Sequence, residues 1–101
     1  MVVVLFHSRL TGQAGEDYAA MADEMLARAR GMPGFVSFRH YEGEGGERLD
    51  VIHWRDEASL AAWRDDPRHR AAQKLGRERW YTSFEIEVAQ LVREQRFERE
   101  P

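Results

Sequence analysis

The spacing of apolar residues along this chain changes in a fixed order, and that order restricts the fold more than any single motif does. Residues Val2–Leu10 are rich in β-branched side chains and read as a buried strand. Val2, Val4, Phe6, Ser8 and Leu10 share one face, and Val3, Leu5, His7 and Arg9 share the other. From Glu16 to Arg30 the period becomes helical, with Tyr18, Ala22, Met25, Leu26 and Ala29 on one side. Glu16 and Asp17 in the first turn and Arg28 and Arg30 in the last suit the helix dipole. Gly31 and Pro33 then supply the stop. Phe35–Glu42 alternates again, Gly43 to Gly46 is a hairpin loop, and residues 48–55 return as a strand. Asp56 is placed to cap a short helix carrying Leu60 and Trp63. Pro67 breaks that helix and opens another, capped by Asp66, that is predicted to run over residues 67–79. Residues 82–93 form a last strand, with Phe84, Ile86, Val88, Gln90 and Val92 on one face.

The predicted order is β-α-β-β-α(α)-β, an α+β ferredoxin-like split βαβ unit: a four-stranded antiparallel sheet with its helices on one face. One domain is expected over residues 1–93, followed by a charged tail, 94–101, whose Phe97 is free to dock on a neighbour. Both faces of the second strand carry large residues, Val36, Phe38 and His40 against Phe35, Arg39 and Tyr41. A sheet apolar on both sides needs a second cover, so a homodimer is expected.

Composition removes several classes of function. The 101 residues carry a net charge of -3, which argues against nucleic acid or an anionic membrane as partner. No cysteine is present, so disulfides, thiolate nucleophiles and cysteine-based metal sites are excluded together. The start MVVVLFHSR has no basic n-region or cleavage site, and no apolar run approaches the ~20 residues of a membrane span. A soluble, cytoplasmic protein is expected.

Function concentrates between Trp63 and Tyr81, where two tryptophans, a tyrosine, a histidine, a glutamine and five arginines fall on two helical pieces. Such a segment either walls a pocket for a flat organic molecule or packs an aromatic face on the sheet. His69 and Gln73 lie four apart, and Ala72, Gly76 and Trp80 continue their face, with small residues leaving room beside it. His69 is either a pocket acid/base or an exposed helix histidine beside Arg68 and Arg70. Trp63 serves core packing, pocket lining, or both. Ser8, polar on the face shared with Phe6, either orients a ligand or bonds nearby backbone. No Gly-x-Ser-x-Gly elbow supports a hydrolase. His7, His40 and His53 sit on strands without metal-ligand spacing, so a cross-strand or interface role is expected. The arginines alternate with acids, as on a solvated face.

MPGFVSFRHYE, then VIHWRDEASLAAWRDDPRHRAAQ, then a Trp-Tyr pair before the last strand resemble the antibiotic biosynthesis monooxygenase family over nearly the whole chain. The resemblance implies a dimeric α+β barrel, with sheets packed face to face and a pocket in each subunit between sheet and helices. It implies an oxygenase that oxidises a small aromatic substrate, phenol-, quinol- or polyketide-like, with molecular oxygen and no cofactor. Trp63 and His69 are then the catalytic pair, and Ser8, Phe6, Gln73, Arg77 and Trp80 bind substrate. Arg77 and Arg79 both remain candidates for the enolate oxygen. A related branch degrades haem with an Asn, a Trp and a His that fall at Ser8, Trp63 and Gln73. Only the Trp is kept, and glutamine offers iron no imidazole, so no cofactor is expected. The alternative is a non-catalytic dimer that binds a small ligand or haem.

Overall fold

The computed structural model describes all residues, 1–101. The elements are β1 (Val2–Leu10), α1 (Glu16–Arg30), β2 (Phe35–Glu42), β3 (Arg48–Trp54), α2 (Glu57–Arg64), α3 (Pro67–Leu75) and β4 (Tyr81–Gln90). The strands form one antiparallel sheet in the order β2-β3-β1-β4, with the helices on one face. This is the expected split βαβ architecture.

Register decides what faces the helices. Val2, Val4 and Phe6 lie opposite Trp54, Ile52 and Asp50 on β3, and Val4, Phe6 and Ser8 lie opposite Val88, Ile86 and Phe84 on β4. Directly opposed residues share a face, so these rows all look toward the helices. The core gathers Val2, Val4, Ala29, Trp54 and Trp63, with Met25, Phe35, Ile52 and Leu60 packed around them. Trp54 is almost wholly buried and stacks on Trp63 at a centroid distance of 6.3 Å.

Both predicted caps form. Asp56 accepts from the Ser59 backbone N–H at 2.8 Å and from its hydroxyl at 2.7 Å. Asp66 accepts from the N–H groups of Arg68 and His69, each at 3.0 Å, and from Arg28 at 2.8 Å. These contacts hold both carboxyls down at about 2. Asp66 thereby fixes the start of α3 and binds it to the last turn of α1. Further along the same seam, Glu24 receives a bidentate grip from Arg68 at 2.5 and 2.9 Å. Asp17 accepts from the Trp80 indole at 3.2 Å and pairs with Arg79 at 3.1 Å.

Several boundaries differ from the sequence expectation. The helix predicted over 67–79 ends at Leu75 and continues as a π-helical turn, Gly76–Trp80. A β-carbon on Gly76 would stand 2.6 Å from the Tyr81 ring, so the missing side chain lets that turn close against Tyr81. The last strand begins at Tyr81 and stops at Gln90, because Val2 is the last β1 residue that it can pair with, and only the Leu91 N–H to Met1 carbonyl bond follows. A register shift between Phe35 and Ser37 breaks strict alternation in β2. Phe35 and Phe38 therefore both reach the helix side, opposite Trp54 and Ile52, and Val36 is left 46% exposed.

The opposite sheet face carries Val3, Leu5, Leu49 and Val51, all half-buried with no helix over them. His53 lies in the same layer, and its Nδ1 is buried without a hydrogen-bond partner.

Candidate functional site

Between the sheet and the helices lies a mostly apolar cavity of about 510 Å³. Its floor is the helix-facing rows of the sheet, and its roof is α1, α2, α3 and the π turn. Mixed apolar walls with a few convergent polar groups are the usual make-up of a small-molecule site.

His69 is the best-defined polar group in it. The Asp66 cap places it in the first turn of α3, and its ring stacks on the Trp63 indole with centroids 4.1 Å apart and planes 14° apart. Its Nδ1 lies 3.0 Å from the Trp63 carbonyl. A carbonyl only accepts, so Nδ1 carries the proton and Nε2 keeps its lone pair. Burial pushes the His69 pKa below the ordinary histidine value, against the opposing pull of the Trp63 carbonyl and Asp66. The ring is therefore a neutral base at neutral pH. The exposed-histidine alternative does not describe it.

Gln73 and Arg77 follow at four-residue steps, and both line the cavity, as do Phe6, Trp63 and Trp80. Each tryptophan thus faces the space. Of the two candidate arginines, Arg79 is held by Asp17 outside the lining, whereas Arg77 lines it. Ser8 is a correction. It is buried, but it does not line the cavity, because its larger register neighbours Arg48 and Phe84 take the wall instead.

Several lining groups were not assigned to the cavity from the sequence. His40 lies on the helix side of β2 and makes a cross-strand contact with Asp50, Nδ1 to carboxylate, at 2.5 Å. Its Nε2 is 3.2 Å from Glu42, and the Asp50 bond, with Glu42 behind it, raises its pKa. His7 and His53 point to the other face, so the three strand histidines do not converge. Tyr18 and Tyr81 meet edge-to-face at 6.0 Å, and Tyr81 packs against Phe6 and Phe84 at 5.5 and 5.8 Å. Burial, then Tyr18 beside it, pushes the Tyr81 phenol pKa up and keeps it protonated. Tyr18 was legible as a helix-face aromatic. His40 was expected to make a cross-strand contact, and does so with Asp50, but nothing local tied it to the cavity.

The site has two ends along the strand direction. His69 lies over Trp63, which stacks on Trp54, whereas His40 and Asp50 stand in the Phe6 row. Four strand residues separate those rows, about 13 Å at the usual rise.

An apolar cavity with a neutral imidazole on a split βαβ scaffold has the make-up of a small-molecule site. The family model for antibiotic biosynthesis monooxygenase matches residues 1–75, and the chain belongs to that family. It is 30% identical over 81 residues to the uncharacterized protein YqjZ of Bacillus subtilis, covering 80% of this chain and 71% of that one. It is 28% identical over 94 residues to jasmonate monooxygenase ABM of Pyricularia oryzae, covering 91% of this chain but 44% of that longer protein. SnoaB of Streptomyces nogalater, a cofactor-independent oxygenase, superposes with a TM-score of 0.76 at 13% identity, over 92% of this chain and 94% of that one. At that identity the likeness shows the fold alone.

Proposed function

We propose that this protein is a cofactor-independent monooxygenase that oxidises a small, flat, largely apolar substrate with molecular oxygen. The observation that carries this is the neutral His69 on the Trp63 indole, inside a mostly apolar cavity. His69 Nε2 takes a proton from an activated C–H or O–H of the substrate. The resulting carbanion or phenolate reacts with oxygen. One oxygen atom enters the substrate as a carbonyl in place of two hydrogens, and the other leaves as water, so the substrate is itself the reductant. Trp63 holds the base in plane, and Phe6 and Trp80 wall the reacting space. The name of the fungal relative supports oxygen chemistry of this kind.

Gln73 stands where the haem-degrading branch carries its ligand, and its amide is a poor fit to iron. The site is therefore read without haem. We also read the unpartnered face around Val3, Leu5, Leu49 and Val51 as the contact with a second copy. Oxygen uptake with a panel of anthrone- and quinol-type substrates tests the activity. Uptake that His69→Ala leaves unchanged would remove the base from the mechanism, and no uptake across the panel would count against the enzyme.

A further inference from the structure

Four cationic side chains line the cavity, and the chain's own acids answer three of them. Arg48 meets Glu42 at 3.1 Å, Arg64 meets Asp65 at 3.5 Å, and His40 sits between Asp50 and Glu42. Arg77 is the exception. It pairs with no carboxylate, and its neighbour Glu78 turns to Lys74 at 4.0 Å. The other unpaired lining charge, Asp23, is on α1. α1 turns Asp17, Glu24 and Arg28 toward the α3 segment, and Asp23 falls outside that stripe, on the far flank.

Arg77 lies in the π turn, two residues past the end of α3. α3 presents Asp66 and Arg68 to α1. The turn that carries Arg77 leads directly into β4, and Arg77 lines the same cavity as the helix-facing row of that strand. There Phe84, Ile86 and Val88 line the cavity yet remain 41%, 48% and 52% exposed. An unanswered guanidinium thus shares the open side of the cavity with a row of apolar side chains. Gln73, one turn earlier, adds an amide.

We propose that this β4-side mouth selects an apolar acid: a carboxylate on the ligand pairs with Arg77, and the apolar body lies along Phe84, Ile86 and Val88 toward His69. A planar guanidinium fork suits a carboxylate better than a phenol or a ketone. Because the proposal rests on the cavity being the substrate site, its test must separate failure of the anion preference from failure of the site. Isothermal titration calorimetry with 1-naphthaleneacetate and its uncharged amide does so. The acid should bind more tightly by about tenfold or more, as a charge-assisted contact predicts. Arg77→Gln should erase that preference without weakening the amide, Arg77→Lys should keep part of it, and Arg70→Gln should change neither. Equal binding of acid and amide, or a preference that survives Arg77→Gln, would overturn the anionic mouth and leave the cavity intact as a ligand site. Binding of neither probe would overturn both.

Discussion

His69 touches Trp63 twice: its ring lies flat on the indole at 4.1 Å, and its Nδ1 reaches back to the carbonyl of the same residue at 3.0 Å. One residue therefore sets the plane, the tautomer and much of the burial of the imidazole. Asp66 adds the helix cap that brings the two together.

Loss of the base should cost rate before it costs fold. His69→Ala is expected to lower oxygen uptake by roughly 10²–10⁴ while leaving the circular dichroism spectrum unchanged. The wild-type rate should rise with pH through an apparent pKa below the ordinary histidine value, because burial favours the neutral ring. It should then hold level through neutrality. An acid limb above the ordinary value would contradict the burial argument.

Trp63 couples stability to basicity. Trp63→Ala should destabilise by about 3–5 kcal/mol in urea unfolding, as for other buried aromatic truncations. NMR titration of the same variant should show the His69 pKa rising toward its solvated value. Trp63→Phe keeps a ring under the imidazole and should shift it less.

Gly76 is required by space. Gly76→Ala places a methyl 2.6 Å from the Tyr81 ring. It should cost about 1–3 kcal/mol as overpacking does, and Tyr81→Ala in the same chain should relieve much of that penalty. Additive losses in a double-mutant cycle would show that the contact is not the cause.

Asp66 makes α3 acid-sensitive. Its folded pKa of about 2 lies below the ordinary 3.8. The stabilisation it gives is therefore complete above pH 3.8 and is lost as pH falls toward 2. Thermal unfolding of wild type against Asp66→Asn should show an advantage at neutral pH that shrinks through that window. A constant difference would mean that the carboxylate charge is not involved.

Haemin offers a check on Gln73. The wild-type protein should give no stoichiometric Soret shift, whereas Gln73→His places an imidazole on the cavity wall and should produce one. A wild-type shift that His69→Ala abolishes would restore haem as a ligand.

The caps at Asp56 and Asp66, the helical face of His69, Gln73 and Trp80, and the succession of strands and helices along the chain could all be read from local spacing. They follow from periods and side-chain chemistry that act within a few residues. What escaped depends on contacts distant in sequence. The β2 bulge turns Phe35 inward together with Phe38, and no local pattern marks the extra residue. Ser8 shared the correct face but lost the cavity to Arg48 and Phe84, which reach it from neighbouring strands. The choice between Arg77 and Arg79 turned on Asp17, more than 60 residues away in the chain. The π turn depends on the Tyr81 ring fitting against Gly76, a matter of shape that composition does not carry.

The seam between α1 and the α3 segment is fastened at Asp17, Glu24 and Arg28. Those ties join the two helices side by side, and parting the roof along its midline breaks all three. On the proposed activity, the uncovered edge of β4 is the entry for substrate and oxygen. Changes along that edge would alter how fast the protein fills and empties while leaving the chemistry at His69 as it was.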